Sequence, residues 1–281
     1  MDEVQAYEVR RDGQVATIEL TPLRETVEVG AAVDIHWALG AVLEELRWDD
    51  DIRIIVITGK RNGEFLIAPA SDHYGSEAQK RRMRGIKGSW SRSQGVIRTH
   101  QALALIEKPV VARLNGDALG FGQSIMFGCD LIVAREDAMI SDVHLGMGRV
   151  RRSEDGATVG PPYGLVPGDG ALAWVPLSMP PQKAKEYLML SRELSAKQMA
   201  ELGIVNYAVP ADQLDAKTAE IVEELLARPA TVLAMTKRLL NRHMIEQSNL
   251  SLDLSYAYEK INFFELSRAG WKDKFQLKDE D

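Results

Sequence analysis

The sequence is poor in cysteine, in aromatic residues and in long apolar runs, and these shortages remove whole classes of protein. Cys129 is its only cysteine, which excludes an intrachain disulfide and any zinc site built from cysteine pairs. A reducing cytoplasm is the expected setting. No apolar run approaches the ~20 residues of a membrane-spanning helix, and the opening "MDEVQAYEVRRDGQ" lacks the basic, apolar, small-residue order of a signal peptide. The chain is expected to be soluble, with no membrane partner. Positive charge is short as well: 34 Lys and Arg face 41 Asp and Glu, a formal net charge of −7, which argues against a nucleic-acid partner.

What is present reads as alternating helix and strand. "YEVRRDGQVATIEL" places two β-branched stretches around Asp12-Gly13, the pattern of a hairpin. Ile35, Leu39, Val42, Leu43 and Leu46 recur at i, i+4, i+7, i+8 and i+11, one face of a helix, and "IRIIVITG" then supplies a short buried strand. A polar, helical stretch from about Ser76 to Glu107 leads into "KPVVARLNG", and "LGFGQSIMFG" leads into "CDLIVA". Such alternation predicts an α/β layer architecture. From Pro181 onward the pattern turns helical, with Ile221, Val222, Leu225 and Leu226 as one stripe and Leu252, Tyr256, Glu259 and Phe263 as another. Residues 1–205 are therefore expected to form the core and 206–281 a helical oligomerisation region.

The glycines of "LNGDALGFGQS" suit a strand-to-helix turn, but Gly116, Gly120 and Gly122 match neither the G-x-G-x-x-G dinucleotide order nor a P-loop. Backbone amides at such a helix start favour negative charge on a ligand. Turn formation and close packing explain the same residues equally well.

"KPVVARLNGDALGFGQSIMFGCDLIVAREDAMI" closely resembles the crotonase, or enoyl-CoA hydratase/isomerase, superfamily. The resemblance continues through "IVITGKRNGEFLIAPASD" and "LSAKQMAELGIVNYAVP" to the last helices, nearly the whole chain. It implies a spiral of ββα turns, a C-terminal helical trimerisation region, and a homotrimer or hexamer. It also implies two backbone amides forming an oxyanion hole, here from Phe121 and from Ser71, with Ala70 as an alternative donor because Pro69 has no N–H. Each such donor is worth roughly 2.7–4 kcal/mol of transition-state stabilisation.

Typical hydratases of the family carry two glutamates that divide the acid and base roles. Here Ser124 and His144 stand at those positions. A serine cannot act as base near neutral pH, whereas a histidine can. "YGLVPGDGALAWVP" further resembles the equivalent segment of the 6-oxocamphor hydrolases, superfamily members that cleave a carbon-carbon bond of a cyclic β-diketone without coenzyme A. That resemblance implies a pair between His144 and the V-P-G-D-G aspartate, Asp169, with the aspartate orienting the ring while the other nitrogen takes a proton from water. Asp169 can also cap the helix that "GDGALAW" can start, which does not exclude a catalytic role. Glu259, within a late apolar stripe, corresponds to a functional glutamate of those hydrolases and also to a glutamate of ordinary members. The segment "LGMGRVRRSEDGATVGPPY" is longer than in those hydrolases and too irregular to assign to helix or strand.

His73 lies near the second oxyanion amide and, with Ala70 and Ser124, is a candidate substrate contact; His36, His100 and His243 match no motif. The basic run "KRRMRGIKG" can hold coenzyme A phosphates or simply face solvent. No spacing compels a metal site, and no cofactor is required beyond a coenzyme A thioester as possible substrate. The leading expectation is a hydrolase of a cyclic 1,3-diketone, with His144, Asp169 and Glu259 as catalytic residues. An acyl-CoA hydratase, isomerase or ring-opening hydrolase is the alternative, and a non-catalytic protein with a decayed site is the third. A close His144–Asp169 contact would count against decay.

Overall fold

The computed structural model describes residues 5–26, 35–67, 86–145, 151–152, 158–159 and 164–268. The chain runs β1 (Tyr7–Asp12), β2 (Val15–Leu20), α1 (Leu23–Thr26), α2 (Ile35–Arg47), β3 (Ile54–Gly59), β4 (Gly63–Ile67), α3 (Ile86–Leu105), β5 (Val110–Leu114), β6 (Gly116–Leu119), α4 (Phe121–Gly128), β7 (Leu131–Arg135) and β8 (Met139–Ser141). It continues through β9 (Arg151–Arg152), β10 (Thr158–Val159), α5 (Ala171–Ser178), α6 (Pro181–Met189), β11 (Glu193–Ser195), α7 (Ala196–Glu201) and β12 (Tyr207–Val209), and ends in α8 (Leu214–Leu226), α9 (Ala230–Leu240) and α10 (Arg242–Arg268).

Successive strand pairs feed two sheets, which makes the fold a spiral of ββα turns. The larger sheet has the order β1-β2-β3-β5-β7-β12 and the smaller β11-β8-β6-β4. Within the larger sheet only the opening hairpin is antiparallel; β2, β3, β5, β7 and β12 pair in parallel. A parallel sheet covered on both faces needs continuous apolar strands, and "IIVI" of β3 meets that need. Ile55 and Ile57 enter the main core with Leu39 and Leu43 of α2, while Ile54 and Val56 join Val111 and Val133 under Leu214, Ile221 and Val222 of α8.

The C-terminal third departs from the expected helical appendage. β11 and β12 interrupt it, adding strands to the smaller and larger sheets respectively. The 205/206 boundary falls immediately before β12, and α8 covers the sheet of its own chain, so these elements complete the core. Of the last stripe, Leu252, Tyr256 and Glu259 are buried, whereas Leu250, Leu254, Tyr258 and Ile261 on another face are exposed, as are Val232, Met235 and Leu239 of α9. Arg151–Arg152 and Thr158–Val159 form a two-stranded antiparallel ribbon within the segment that sequence left unassigned. Of the helical stretch expected from Ser76 to Glu107, residues 86–105 are helix and 76–85 lie outside the described residues. Among the described residues no helix is long and apolar enough to cross a membrane.

Candidate active site

The end of β8 delivers the first two members of the site. Asp142 directly follows that strand, and its Oδ1 accepts the backbone N–H of His144 at 3.0 Å, the two-residue closure typical of an aspartate-led turn. The same Oδ1 lies 3.0 Å from His144 Nδ1. Oδ2 accepts from Gln123 Nε2 at 3.2 Å, and Gln123 Oε1 in turn accepts from the Tyr187 hydroxyl at 3.2 Å. Asp142 is 1% exposed. Buried charge of this kind persists only when its lone pairs are occupied.

Residues 164–170 bring Asp169 to the opposite side of the ring, with Oδ2 3.3 Å from His144 Nε2. Three elements hold that segment. The His144 carbonyl accepts from Leu165 N–H at 2.7 Å, Asn262 of α10 accepts from Val166 N–H at 3.1 Å, and His100 of α3 contacts the Asp169 carbonyl at 2.7 Å. The glycines flanking Asp169 permit this closeness. A Cβ on Gly168 would lie 1.8 Å from Glu259 Oε2, and one on Gly170, whose φ is +106°, would lie 2.0 Å from His100 Nε2. Gly170, not Asp169, is the N-cap of α5.

Glu259 of α10 completes the group. One donor atom each from His144, Asp169 and Glu259 lie within 4.8 Å of one another. Glu259 is buried; Oε1 meets Lys260 Nζ at 3.1 Å, while Oε2 has no hydrogen-bond partner among the described residues. One imidazole and two carboxylates at this spacing can hold a divalent cation, a grouping that the linear spacing of the residues does not reveal. The 3.3 Å separation of Nε2 and Oδ2 equally suits a proton between them.

Charge decides the state of the ring. Burial by itself pulls the His144 pKa down, but Asp142 and Asp169 on either side more than reverse this and hold it well above the usual histidine value. The two carboxylates thus favour the protonated ring, in which each nitrogen can donate to the carboxylate beside it. His100 is its opposite: burial drops its pKa to about 4. The Trp174 indole N–H donates to His100 Nδ1 at 2.7 Å, which places the ring proton on Nε2, facing the Asp169 carbonyl.

Phe121 is the first residue of α4, where a backbone N–H has no partner within the helix. Gly120 at φ +60° turns the chain into that position. The Phe121 ring is buried, stacked on His36 at 4.2 Å and edge-on to His100 at 5.9 Å. Ser124 is fully buried, accepting from Gln123 Nε2 at 3.1 Å and donating to the Gly120 carbonyl at 3.4 Å. Ala70, Ser71 and His73 lie outside the described residues.

Sequence reasoning passed over Asp142, Gln123, Tyr187 and His100. The Asp-x-His spacing was a usable signal for Asp142. His100 falls on the stripe Val96, Thr99, His100, Leu103, Ala104, buried throughout, so helical periodicity alone marked it as inward-facing. Gln123 and Tyr187 carry no local signal.

A sequence model of the family described as enoyl-CoA hydratase/isomerase matches residues 34–265. The chain belongs to the enoyl-CoA hydratase/isomerase family. Among relatives of this family, the short-chain-enoyl-CoA hydratase of Clostridium acetobutylicum is 23% identical over 259 residues, 92% of this chain and 87% of its own. An enoyl-CoA hydratase/isomerase from Mycobacterium paratuberculosis superposes with a TM-score of 0.75 at 26% identity, covering 94% of this chain and 95% of its own. The same enoyl-CoA hydratase/isomerase fold occurs in a beta-diketone hydrolase from the cyanobacterium Anabaena, bound to (S)-3-oxocyclohexyl acetic acid, with a TM-score of 0.76 at 20% identity over 94% of this chain and 96% of its own.

Proposed function

We propose that this protein hydrolyses a carbon-carbon bond in a cyclic or bicyclic 1,3-diketone. The observation that carries the reading is the imidazole of His144, held between Asp142 and Asp169 beside Glu259, in a chain with Ser124 and His144 where typical hydratases have glutamates. A buried imidazole with one nitrogen tied to a carboxylate is equipped to move one proton to and from water. It is not equipped to divide acid and base work as two separated carboxylates do.

In this reading His144, once neutral, takes a proton at Nε2 from a water molecule that attacks one ketone carbon. The tetrahedral adduct collapses, and the bond from that carbon to the central carbon of the diketone breaks. One fragment becomes a carboxylic acid, and the electron pair leaves on the other as an enolate. The Phe121 amide and an amide at Ser71, or its neighbour Ala70, hold the enolate oxygen. The proton taken from water returns to the central carbon, so the net change is addition of one water. Substrate contacts are assigned to Ala70 and His73, Ser124 being fully buried with its hydroxyl taken up by Gln123 and the Gly120 carbonyl, and the exposed apolar faces of α9 and α10 are assigned to contacts between copies in a homotrimer or hexamer.

A second reading, an acyl-CoA thioester substrate, is favoured by the hydratase names of many relatives. Incubation with a panel of bicyclic 1,3-diketones and a panel of enoyl-CoA thioesters, followed by mass spectrometry, separates the two. Diketones converted to keto acids without coenzyme A support the hydrolase. Turnover confined to thioesters overturns it.

A further inference from the structure

Two carboxylates contact one ring, and they cannot share a role. A histidine that takes a proton from water needs one nitrogen tied down and the other open to the reacting side. We propose that Asp142 is the positioning residue for His144, fixing the ring through Nδ1, and that Asp169 stands on the reacting side at Nε2. This inference deepens the hydrolase reading and rests on it for its kinetic consequences.

The geometry separates the two aspartates. Asp142 Oδ1 receives both the backbone N–H and Nδ1 of His144, each at 3.0 Å, so the carboxylate grips the residue at two points. Its other oxygen is held by Gln123, itself held by Tyr187, so α4 and α6 both brace it. Asp142 is almost fully buried. Asp169 makes a longer contact, 3.3 Å, through a side chain 15% exposed, and it shares that side of the ring with Glu259. A carboxylate placed there can accept the second hydrogen of the attacking water.

Among the described residues, the charged and titratable groups around His144 are Asp142 at the end of β8, Asp169 on the 164–170 segment, and Glu259 with Lys260 on α10. Tyr187 faces Asp142, and His100 meets the Asp169 carbonyl. Asp142 and Asp169 each raise the affinity of the ring for its proton. The two aspartates touch different ring nitrogens, so the neutral tautomer distinguishes them. Among the described residues, Asp142 alone contacts Nδ1.

The test uses the full-length protein with ring-¹⁵N histidine, the His144 signals being assigned by their absence in His144→Ala. In Asp142→Asn the His144 midpoint should fall and its neutral form should lose the strict Nδ1–H tautomer. In Asp169→Asn the midpoint should fall while that tautomer stays. On a diketone substrate, Asp142→Asn should lower kcat about 10- to 100-fold with KM unchanged, as loss of an outer orienting partner typically does. The acidic limb of its kcat/KM profile should move to lower pH. If Asp142→Asn fails to fold, Gln123→Met removes one brace at similar volume and should shift the His144 ring signals and lower kcat to a smaller degree. An Asp142→Asn protein with the wild-type midpoint and tautomer, or a Gln123→Met protein with unchanged ring signals, overturns the inference. The ring readout needs no substrate, so absence of diketone turnover overturns the hydrolase reading while the spectra still decide the role of Asp142.

Discussion

His144 and His100 are both buried, both touch Asp169, and have pKa values shifted in opposite directions. His144 meets two carboxylate groups and is held protonated well above its usual range. His100 meets an indole N–H and a main-chain carbonyl, and burial drives its pKa to about 4. The difference lies in what the neighbours offer: carboxylates repay the desolvation of a cation, whereas one neutral donor and one neutral acceptor satisfy a neutral ring completely. A single residue, Asp169, gives its side chain to His144, the histidine proposed to move the proton, and its backbone to His100. The V-P-G-D-G turn is thus clamped between the ring proposed to work and a ring that supports.

Replacing the working ring should have the largest effect. His144→Ala should keep the fold by circular dichroism and lower diketone hydrolysis by about 10²- to 10⁴-fold, the usual contribution of a general base; undiminished turnover would dismiss His144 from the chemistry. Replacing the partner of the supporting ring should act on stability instead. Trp174→Phe leaves His100 Nδ1 without its donor and should cost about 1–3 kcal/mol in urea denaturation, with a much smaller loss of rate.

The two rings also predict opposite pH dependences. His144 has a raised folded pKa, so its stabilisation is complete below about pH 6.5 and fades as pH climbs through the folded value. His100 has a depressed one, so its stabilisation is present above about 6.5 and is lost as pH falls toward about 4, on the order of 3 kcal/mol in all. Urea midpoints measured from pH 4 to 10 should therefore flatten on the alkaline side in His144→Ala and retain their acid limb. Because the base must be neutral, kcat/KM should rise with pH from neutrality until His144 releases its proton. The smallest expected effect is that of a chelator: EDTA should leave the rate unchanged, and a loss restored by one divalent cation would assign the His144, Asp169 and Glu259 group to a metal.

Much of this arrangement was legible in the sequence. The apolar face of Ile35–Leu46 and the run "IIVI" fixed α2 and β3, because hydrophobic periodicity reports directly on burial. His144 stood out because a residue able to move protons replaced a carboxylate within a recognisable motif. The failures share a cause. β11 and β12 are three residues each, too short for any period, and exist because an edge of a sheet was available to them. Asp142 and His100 reach the site from β8 and from α3, and only the fold brings those elements onto the V-P-G-D-G turn.

The most direct test is turnover of a bicyclic 1,3-diketone in ¹⁸O-water, read by mass spectrometry. The account predicts a keto acid carrying one ¹⁸O in its new carboxylate, formed without coenzyme A by the wild type and lost in His144→Ala. Unreacted diketone from a folded wild-type protein that turns over enoyl-CoA thioesters would contradict it.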